Sequence, residues 1–318
     1  MARLLAAALS LLVLAGPAWA QDYPNRPVRV IIPFPPGGAP DLTGRVLATR
    51  LAERLGQPFV AENRTGAGGN IAAEFVAKAP PDGYTLFAAS DGPLVINPHV
   101  YAKIPFDTLR DFAPISIATS AGFALMACPT VPVHSVADVV KLAKTKRLSI
   151  ASSGFGTNHH LLAEMLKSAA GIDLLHVPYK GFGQAVGDAV GCSVDLIFGA
   201  ISSGIPHIRA GKLRPLAVSV PQRHPGLPDT PTFTEVGYPQ VAMDAYFGML
   251  APAGTPRPII QRLHAEIVAL LKEPETADKL RAAGLDIVAS SPEEFSARLK
   301  TDLERFARIA RTLGAKVE

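Results

Sequence analysis

Short apolar runs alternate with amphipathic segments along most of this chain, and this alternation limits its fold more than any other feature. A short apolar run between turn signals is typical of a buried strand, whereas apolar residues repeating at helical spacing indicate a helix. The first unit has a strand at residues 28–33, a helix at 41–55 and a second strand at 59–62. Such an order implies mainly parallel strands with helices on both faces of the sheet. The sequence therefore predicts an α/β fold.

The same alternation continues through the rest of the chain. Further strands are predicted at residues 84–89, 148–152, 174–178, 194–198, 213–220 and 287–289. Helices are predicted at residues 71–78, 135–144, 157–169, 184–190, 258–271, 276–283 and 292–313, with a helical turn at 205–210. A chain of 318 residues exceeds the usual size of one domain, so we expect two lobes. Two extended segments, residues 114–127 and 243–251, would cross between these lobes. We expect lobe 1 to comprise residues 21–122 and 237–318, and lobe 2 residues 123–236.

The N-terminal residues 1–20 have the pattern of a secretory signal peptide. Arg3 supplies a positive charge, residues 4–14 are apolar apart from Ser10, and residues 18–20 read Ala-Trp-Ala, a small-x-small cleavage site. We expect cleavage after Ala20 and export of the mature chain to the periplasm. The alternative is an N-terminal membrane anchor, but the apolar run is shorter than the ~20 residues that a bilayer requires.

The composition argues against two classes of protein. Hydrophobic residues make up 48% of the chain and charged residues 18%, a balance that suits a buried core and not a disordered chain. The net charge is +4, and the basic residues are scattered rather than grouped into the stripe that a nucleic-acid binder presents. We therefore expect no nucleic-acid partner.

The chain contains two cysteines, Cys128 and Cys192. An oxidising compartment would permit a disulfide between them. Their spacing does not show whether they lie close enough to bond, so the sequence leaves a disulfide and two free thiols open.

Two loops, each between a predicted strand and the next helix, have the pattern of an anion site. The first, residues 33–41, is stiffened by prolines and contains Gly37 and Gly38, whose backbone N–H groups a ligand can approach closely. The second, residues 152–160, contains two glycines and Thr157, a suitable helix cap. Ligands of open α/β sheets bind beyond the carboxyl ends of the strands, where helix N-termini favour anions. Two such loops, one per lobe, could hold one carboxylate; the alternative is that each is an ordinary tight connection.

Six segments taken together resemble the tripartite tricarboxylate transporter receptors, often called the Bug family. They are residues 33–41 (PFPPGGAPD), 62–70 (ENRTGAGGN), 81–84 (PDGY), 154–161 (GFGTNHHL), 176–181 (HVPYKG) and 248–256 (GMLAPAGTP). The resemblance implies a two-lobed periplasmic-binding-protein fold with a ligand cleft between the lobes. It also implies a monomer that captures a small organic acid without a cofactor or metal and delivers it to membrane permease subunits.

The resemblance also implies which residues line the cleft. Those of the first loop are Phe34, Pro35, Pro36, Gly37, Gly38 and Asp41. Those of the second loop are Ser153, Gly154, Gly156, Thr157 and His160. Ser90, Asn97 and Asp195 lie where the family often lines the cleft. His159 stands where proline is common in relatives, and residues 197–199 also depart from the family, so the identity of the acid stays open.

Four alternatives accompany this interpretation. His159 and His160, with Glu164 one turn further on, could be metal ligands, although the sequence lacks an H-E-x-x-H motif. Ser90 and its neighbours loosely resemble the nucleophile turn of a serine hydrolase, but the first glycine of G-x-S-x-G is missing. A receptor that docks on a signalling protein instead of a permease would have the same sequence features. Lys180 and Arg64 could pair with a second ligand carboxylate or could be solvated surface charges.

Overall fold

The computed structural model describes residues 23–154, 157–179 and 182–313. The predicted signal peptide and its cleavage site lie outside these residues, as do Gly156 and Lys180. None of the helices within the described ranges has the length and apolar character needed to cross a membrane.

The N-terminal part of the chain forms three parallel strands. Strand β1 (Val28–Ile32) lies between β2 (Phe59–Asn63) and β3 (Thr85–Ser90), with Val28 opposite Phe59 and Arg29 opposite Thr85. Helix α1 (Ala39–Leu55) and helix α2 (Asn70–Ala77) make the two crossovers. These strands and helices agree with the prediction to within two residues at each end.

Between β3 and the next strand the chain forms helical turns that the sequence analysis missed. A π-turn at Gly92–Ile96 is followed by the short helix α3 (Asn97–Val100). Pro93 and Pro98 lie within these two turns, and proline inside a segment argues against a helix in a sequence-based prediction. Proline is tolerated in the first turn of a helix, because the N–H groups of that turn have no partner within the helix. This explains how both segments can be helical despite their prolines.

Two long strands, β4 (Phe112–Ala127) and β9 (Asp244–Pro252), form the middle of the sheet. Strand β9 lies between β3 and β4 and is antiparallel to both. Strand β4 pairs with β9 as far as Gly122, and its last residues then pair with strands of the second half of the chain. These are the two extended segments that the sequence analysis placed between the lobes.

The second half of the chain repeats the alternation. Helix α4 (Val136–Ala143) leads to β5 (Leu148–Ser152), and helix α5 (Asn158–Ala170) leads to β6 (Leu174–Pro178). Helix α6 (Phe182–Val190), β7 (Leu196–Ala200), helix α7 (Ile201–Arg209) and β8 (Arg214–Val218) follow. Strand β5 is parallel to β6 and β7, whereas β7 and β8 pair antiparallel with β4. The sheet order is therefore β2-β1-β3-β9-β4-β7-β5-β6.

Helix α7 is longer than predicted. The sequence predicts only a helical turn at residues 205–210, whereas the helix begins at Ile201, immediately after β7. The residues Ser202, Ser203 and Gly204 are typical of a loop, so local propensity underestimates the helix. Packing of the buried Ile201 and Gly204 against the sheet overrides that propensity.

The C-terminal segments return to the first sheet half. Helix α8 (Arg257–Lys272) and helix α9 (Pro274–Ala282) precede the short strand β10 (Asp286–Ile287), which pairs with β4 at Ser120 and Thr119. The long helix α10 (Pro292–Leu313) closes the described chain, and Ser291 accepts a hydrogen bond from the backbone N–H of Glu294, as expected of a cap.

A disulfide joins Cys128 to Cys192, with their Cα atoms 5.4 Å apart. Cys128 directly follows β4, and Cys192 lies in the connection between α6 and β7. Of the two possibilities that the sequence left open, a disulfide or two free thiols, the structure therefore has the disulfide. The bond links the end of β4 to a segment 64 residues further along the chain.

Candidate functional site

A cleft of about 1070 Å³ lies beyond the carboxyl ends of β1, β3, β5 and β7. Both predicted loops reach it. Eight of the predicted ligand-binding residues line it, together with Asn97: they are Phe34, Pro35, Pro36, Gly37, Gly38, Ser90, Ser153 and Thr157. These residues lie at or after the carboxyl ends of strands β1, β3 and β5. The cleft therefore occupies the place where open α/β sheets bind ligands.

The first loop presents the N-terminus of α1 to the cleft. Gly38 is the N-cap, in an extended conformation (φ −81°, ψ 168°), and it has no side chain that could cap the helix. Pro40 has no N–H group, so the backbone N–H groups of Ala39 and Asp41 are the free donors of this turn. An anion at this point would accept from these donors and be favoured by the helix dipole.

Asp41 lies behind the first loop and not in the cleft, although we expected it to bind the ligand. Its side chain is only 6% exposed. The carboxylate accepts hydrogen bonds from Arg45 (2.6 Å), Asn63 (2.8 Å) and the backbone N–H of Gly37 (3.1 Å). Asn63 also donates to the backbone carbonyl of Phe34 at 2.8 Å. These bonds fix the loop's shape, so Asp41 positions the loop.

Substituting Asp41 tests this positioning role through its pH dependence. Burial raises the pKa of Asp41, but the hydrogen bonds from Arg45, Asn63 and Gly37 outweigh burial and hold the pKa below its usual range. A lowered pKa contributes stability above the unfolded pKa of about 4 and loses it as the pH falls through the folded pKa. We expect Asp41→Asn to lower the free energy of unfolding at pH 7 by about 1–3 kcal/mol. Urea unfolding should show this difference shrinking below pH ~4, and a constant difference would contradict the assignment.

The second loop is held by hydrogen bonds within itself. Thr157 caps α5 by accepting from the backbone N–H of His160 (3.4 Å), and its hydroxyl donates to the carbonyl of Gly154 (2.8 Å). The backbone N–H of Gly154 donates to Ser152 Oγ (3.1 Å), which lies 2.6 Å from His176 Nε2. The hydroxyl hydrogen of Thr157 is therefore already used in this structure, and its side chain shapes the loop.

His159, and not the predicted His160, reaches the cleft. The His160 ring stacks on His176 with centroids 4.2 Å apart and does not line the cleft. Consecutive helical residues point about 100° apart, so only one of the pair can face the ligand. His159 Nδ1 lies 2.6 Å from Ser153 Oγ, and its ring stacks on Phe182 at 5.1 Å. Burial lowers the pKa of His159 to about 4, so it is neutral at pH 7.

Asp91 and Asn158 join the two sides of the cleft, and the sequence analysis named neither as a ligand-binding residue. Asp91 follows β3 and is 4% exposed, whereas Asn158 begins α5. Asn158 Nδ2 donates to Asp91 Oδ2 at 3.1 Å, and the backbone N–H of Gly92 donates to Oδ1 at 2.9 Å. No local sequence pattern marks a contact between residues that lie 67 positions apart.

Asp195 does not lie in the cleft, contrary to the expectation. It precedes β7, whose opposite end, Ala200, lines the cleft. A strand of five residues spans roughly 16 Å, which separates Asp195 from the ligand. Its carboxylate accepts from the backbone N–H (2.8 Å) and hydroxyl (2.9 Å) of Ser149 and pairs with Lys146 at 3.3 Å. Its role is to join β7 to β5.

Apolar side chains from both halves of the chain form much of the remaining cleft wall. They include Tyr101, Phe123, Phe182, Phe247 and Leu285. At the rim, Gly284 packs directly against Ser202 of α7. The cleft can therefore surround an apolar ligand body as well as an anionic group.

The other candidates lie elsewhere or form no metal site. Arg64 pairs with Glu62 at 2.6 Å and covers the ring of Phe75, outside the cleft. His160 Nε2 is 4.0 Å from Glu164. Within residues 23–154, 157–179 and 182–313, no three His, Cys, Asp or Glu residues are grouped so that they could hold a metal ion.

Comparison with known proteins agrees with this architecture. The family model described as "Tripartite tricarboxylate transporter family receptor" matches residues 43–315. The chain is 34% identical to Protein BugT of Bordetella pertussis, over 96% of this chain and 94% of that protein.

Solved structures share the fold over nearly their whole length. Rpa4515 of R. palustris, solved with adipate, is 34% identical, has a TM-score of 0.80 and is matched over 93% of this chain and 100% of its own. MatC from Rhodopseudomonas palustris, solved with bound malate, is 29% identical, with a TM-score of 0.76 and coverage of 90% and 99%. Both solved ligands are small carboxylates.

Proposed function

Because this chain belongs to the tripartite tricarboxylate transporter receptor family, which includes the Bug proteins, we propose that it captures a small organic carboxylate and delivers it to a transporter of that kind. The family consists of periplasmic solute-binding receptors and not of enzymes. This confirms the prediction of a non-enzymatic role and removes the serine hydrolase alternative. The prediction of the family from its six sequence segments is confirmed as well.

The observation that carries the proposal is the convergence of two strand-to-helix loops on one cleft. The N-terminus of α1 offers backbone donors from one side, and the second loop, with Ser153 and Thr157, lies on the other. An anion between them would be neutralised by helix dipoles and hydrogen bonds, without a charged side chain. The adipate and malate bound by two structural neighbours support a carboxylate as that anion.

Contacts across the cleft support a closing mechanism. Asn158 donates to Asp91, and Gly284 touches Ser202, so each contact joins an element of predicted lobe 1 to one of predicted lobe 2. A ligand shifts a receptor toward its closed state only by binding that state more tightly than the open one. A carboxylate held by both loops at once would do so. Closure would then present a joint surface of both lobes to permease subunits.

Delivery to a permease and use as a sensory receptor are two outcomes of the same closure. The family description favours the permease. Export to the periplasm after cleavage at Ala20 belongs to this proposal, and N-terminal sequencing of the exported protein would test it.

A thermal-shift screen of the purified protein tests the carboxylate proposal. The protein is unfolded and refolded to remove copurified ligand and is then melted with mono-, di- and tricarboxylates. A ligand at a hundred times its dissociation constant stabilises by about 2.7 kcal/mol, which raises the Tm by roughly 5–10 °C for a chain of this size. Matched neutral amides of the same acids serve as controls. An equal shift with acids and amides, or no shift with any acid, would refute the proposal.

Gly284→Ala tests closure itself. Gly284 has φ +76°, and a Cβ at this position would overlap the side chain of Ser202. The variant should keep its fold, lose about 1–2 kcal/mol of stability through backbone strain, and bind the carboxylate at least ten-fold more weakly by calorimetry.

Gly211→Ala is the matched control for Gly284→Ala. Gly211 has φ +67°, but a Cβ there would meet no atom within 4 Å. It should therefore suffer the same strain and bind normally. Adding Ser202→Gly to Gly284→Ala should restore binding, and equal affinity of the two glycine variants would show that closure does not need this contact.

A further inference from the structure

Asp91 gives the cleft a charged group that a carboxylate receptor does not need. Among the residues that the structure describes, it is the only carboxylic acid lining the cleft. Its two oxygens accept from the backbone N–H of Gly92 and the amide of Asn158, both neutral donors. Burying a carboxylate with neutral partners alone is costly, so a cationic partner from the ligand would stabilise it.

The carboxylates near Asp91 destabilise its charged form, so a cationic partner would be more favourable there. Burial is the main cause that raises the pKa of Asp91 to about 7; the carboxylates of Asp244 and Asp302 add to the rise, and the hydrogen bonds from Asn158 and Gly92 oppose it. The nearby cation Arg298 already binds both of those carboxylates, at 2.6 Å each. Asp91 therefore has negatively charged side chains near it within the protein, and it lines the cleft in which the ligand would bind.

Two residues of the cleft wall, one of them bonded to Asp91, have unpartnered polar atoms. Asn158 Oδ1 and His159 Nε2 are buried and have no hydrogen-bond partner within the described residues. Because Asn158 uses its Nδ2 on Asp91, its Oδ1 is left as an acceptor. A carboxylate and an unused acceptor on the residue bonded to it suit a ligand group that donates hydrogen bonds and carries a positive charge.

We propose that the ligand of this cleft is a carboxylate that also carries a cationic amino group, and that Asp91 is the counter-ion of this group. The inference rests on the proposed function, since the ligand's carboxylate would still occupy the two loops. The apolar walls surround the carbon chain between the two ends. A dicarboxylate would place its second negative charge toward Asp91 and be repelled.

Matched probes that differ at one end test the proposal. Hexanoate, 6-aminohexanoate and adipate share one carboxylate and one chain length; 3-phenylpropanoate and phenylalanine form a bulkier pair. Calorimetry at pH 8 should show the amino acid of at least one series binding ten-fold or more tightly than its amine-free partner. Tighter binding of the amine-free acid or of adipate would overturn the assignment of Asp91. Binding by none of the probes would overturn this inference, whereas the proposed function fails only if no acid of the thermal-shift screen stabilises the protein.

The variant Asp91→Asn separates a counter-ion from a structural residue. The two side chains have nearly the same shape, so the fold should persist, as judged by an unchanged or higher Tm. The amino acid should lose its ten-fold advantage over the amine-free acid, whereas any weakening caused by the altered contacts to Asn158 and Gly92 should be common to both probes. Equal weakening of both probes, with the advantage retained, would show that Asp91 acts only on the shape of the cleft and would overturn the proposal.

A pH series on the unaltered protein gives the same test without a variant. Protonation of Asp91 would remove the counter-ion, so affinity for the amino acid should fall about ten-fold per pH unit below pH 7 and level off above it. His159 remains neutral throughout this range, because burial lowers its pKa to about 4. The other carboxylates near Asp91 are Asp244 and Asp302, both paired with Arg298 at 2.6 Å. Affinity for hexanoate should not change in this range. Parallel pH profiles of the two probes would contradict the proposal.

Discussion

Gly38→Val is expected to reduce carboxylate binding at least ten-fold and to leave the ligand-free fold intact. Gly38 adopts an extended conformation that valine shares, and a Cβ there would lie 3.7 Å from Pro40 Cδ, an ordinary contact. The branched side chain would instead occupy the end of α1 that faces the cleft. Removing one charge-linked hydrogen bond costs about 1.5–3 kcal/mol, which corresponds to a ten-fold to hundred-fold loss of affinity.

Gly38→Ala is the graded control, since a single methyl group obstructs less of the helix end. Calorimetry should rank the affinities glycine, alanine, valine, while thermal melts of the three ligand-free proteins coincide. Gly37 would not serve as a control, because its φ of +95° makes any side chain there strain the backbone. Wild-type affinity in Gly38→Val would remove the first loop from the binding site.

Loss of the Cys128–Cys192 disulfide is expected to have the largest effect on stability. The bond closes a segment of 64 residues, and chain-entropy reasoning gives a loss of about 4 kcal/mol when a loop of that length is released. Alanine at both positions should therefore lower the free energy of urea unfolding by about that amount. Alanine avoids leaving a polar group at Cys128, which is 1% exposed.

Reductant provides the control for the disulfide prediction. It should destabilise the wild-type protein to the level of the double variant and have no effect on the double variant. Equal stability of oxidised and reduced wild type would show that the bond does not constrain the unfolded chain.

Much of the fold could be predicted because its signals are local. The strands of β1, β2, β5 and β6 and the helices α1, α5 and α10 each carry apolar spacing, a cap or a glycine stop within their own residues, and each lies within two residues of its predicted position. The loops of the candidate site were found for the same reason, since glycine and proline mark them directly.

The features of the candidate site that were missed or misplaced depend on residues distant in the chain. The bridge from Asp91 to Asn158 joins two loops that have no sequence relation, and the choice between His159 and His160 depends on how α5 is rotated against the sheet. Asp195 was misplaced because its position relative to the cleft depends on the direction of β7. Periodicity identifies a strand but not which of its ends meets a ligand.

The position of β9 has a consequence for the order in which the protein can fold. Strand β9 lies between β3 and β4, although it is made more than a hundred residues after either of them begins. Until residues 244–252 leave the ribosome, β3 has no neighbour on one side, and open strand edges of this kind favour aggregation. The nascent chain thus cannot complete its central sheet before most of its length has been synthesised. Such a delay is compatible with the export proposed above, because a chain whose last central strand is still missing cannot lock the other strands in place before translocation.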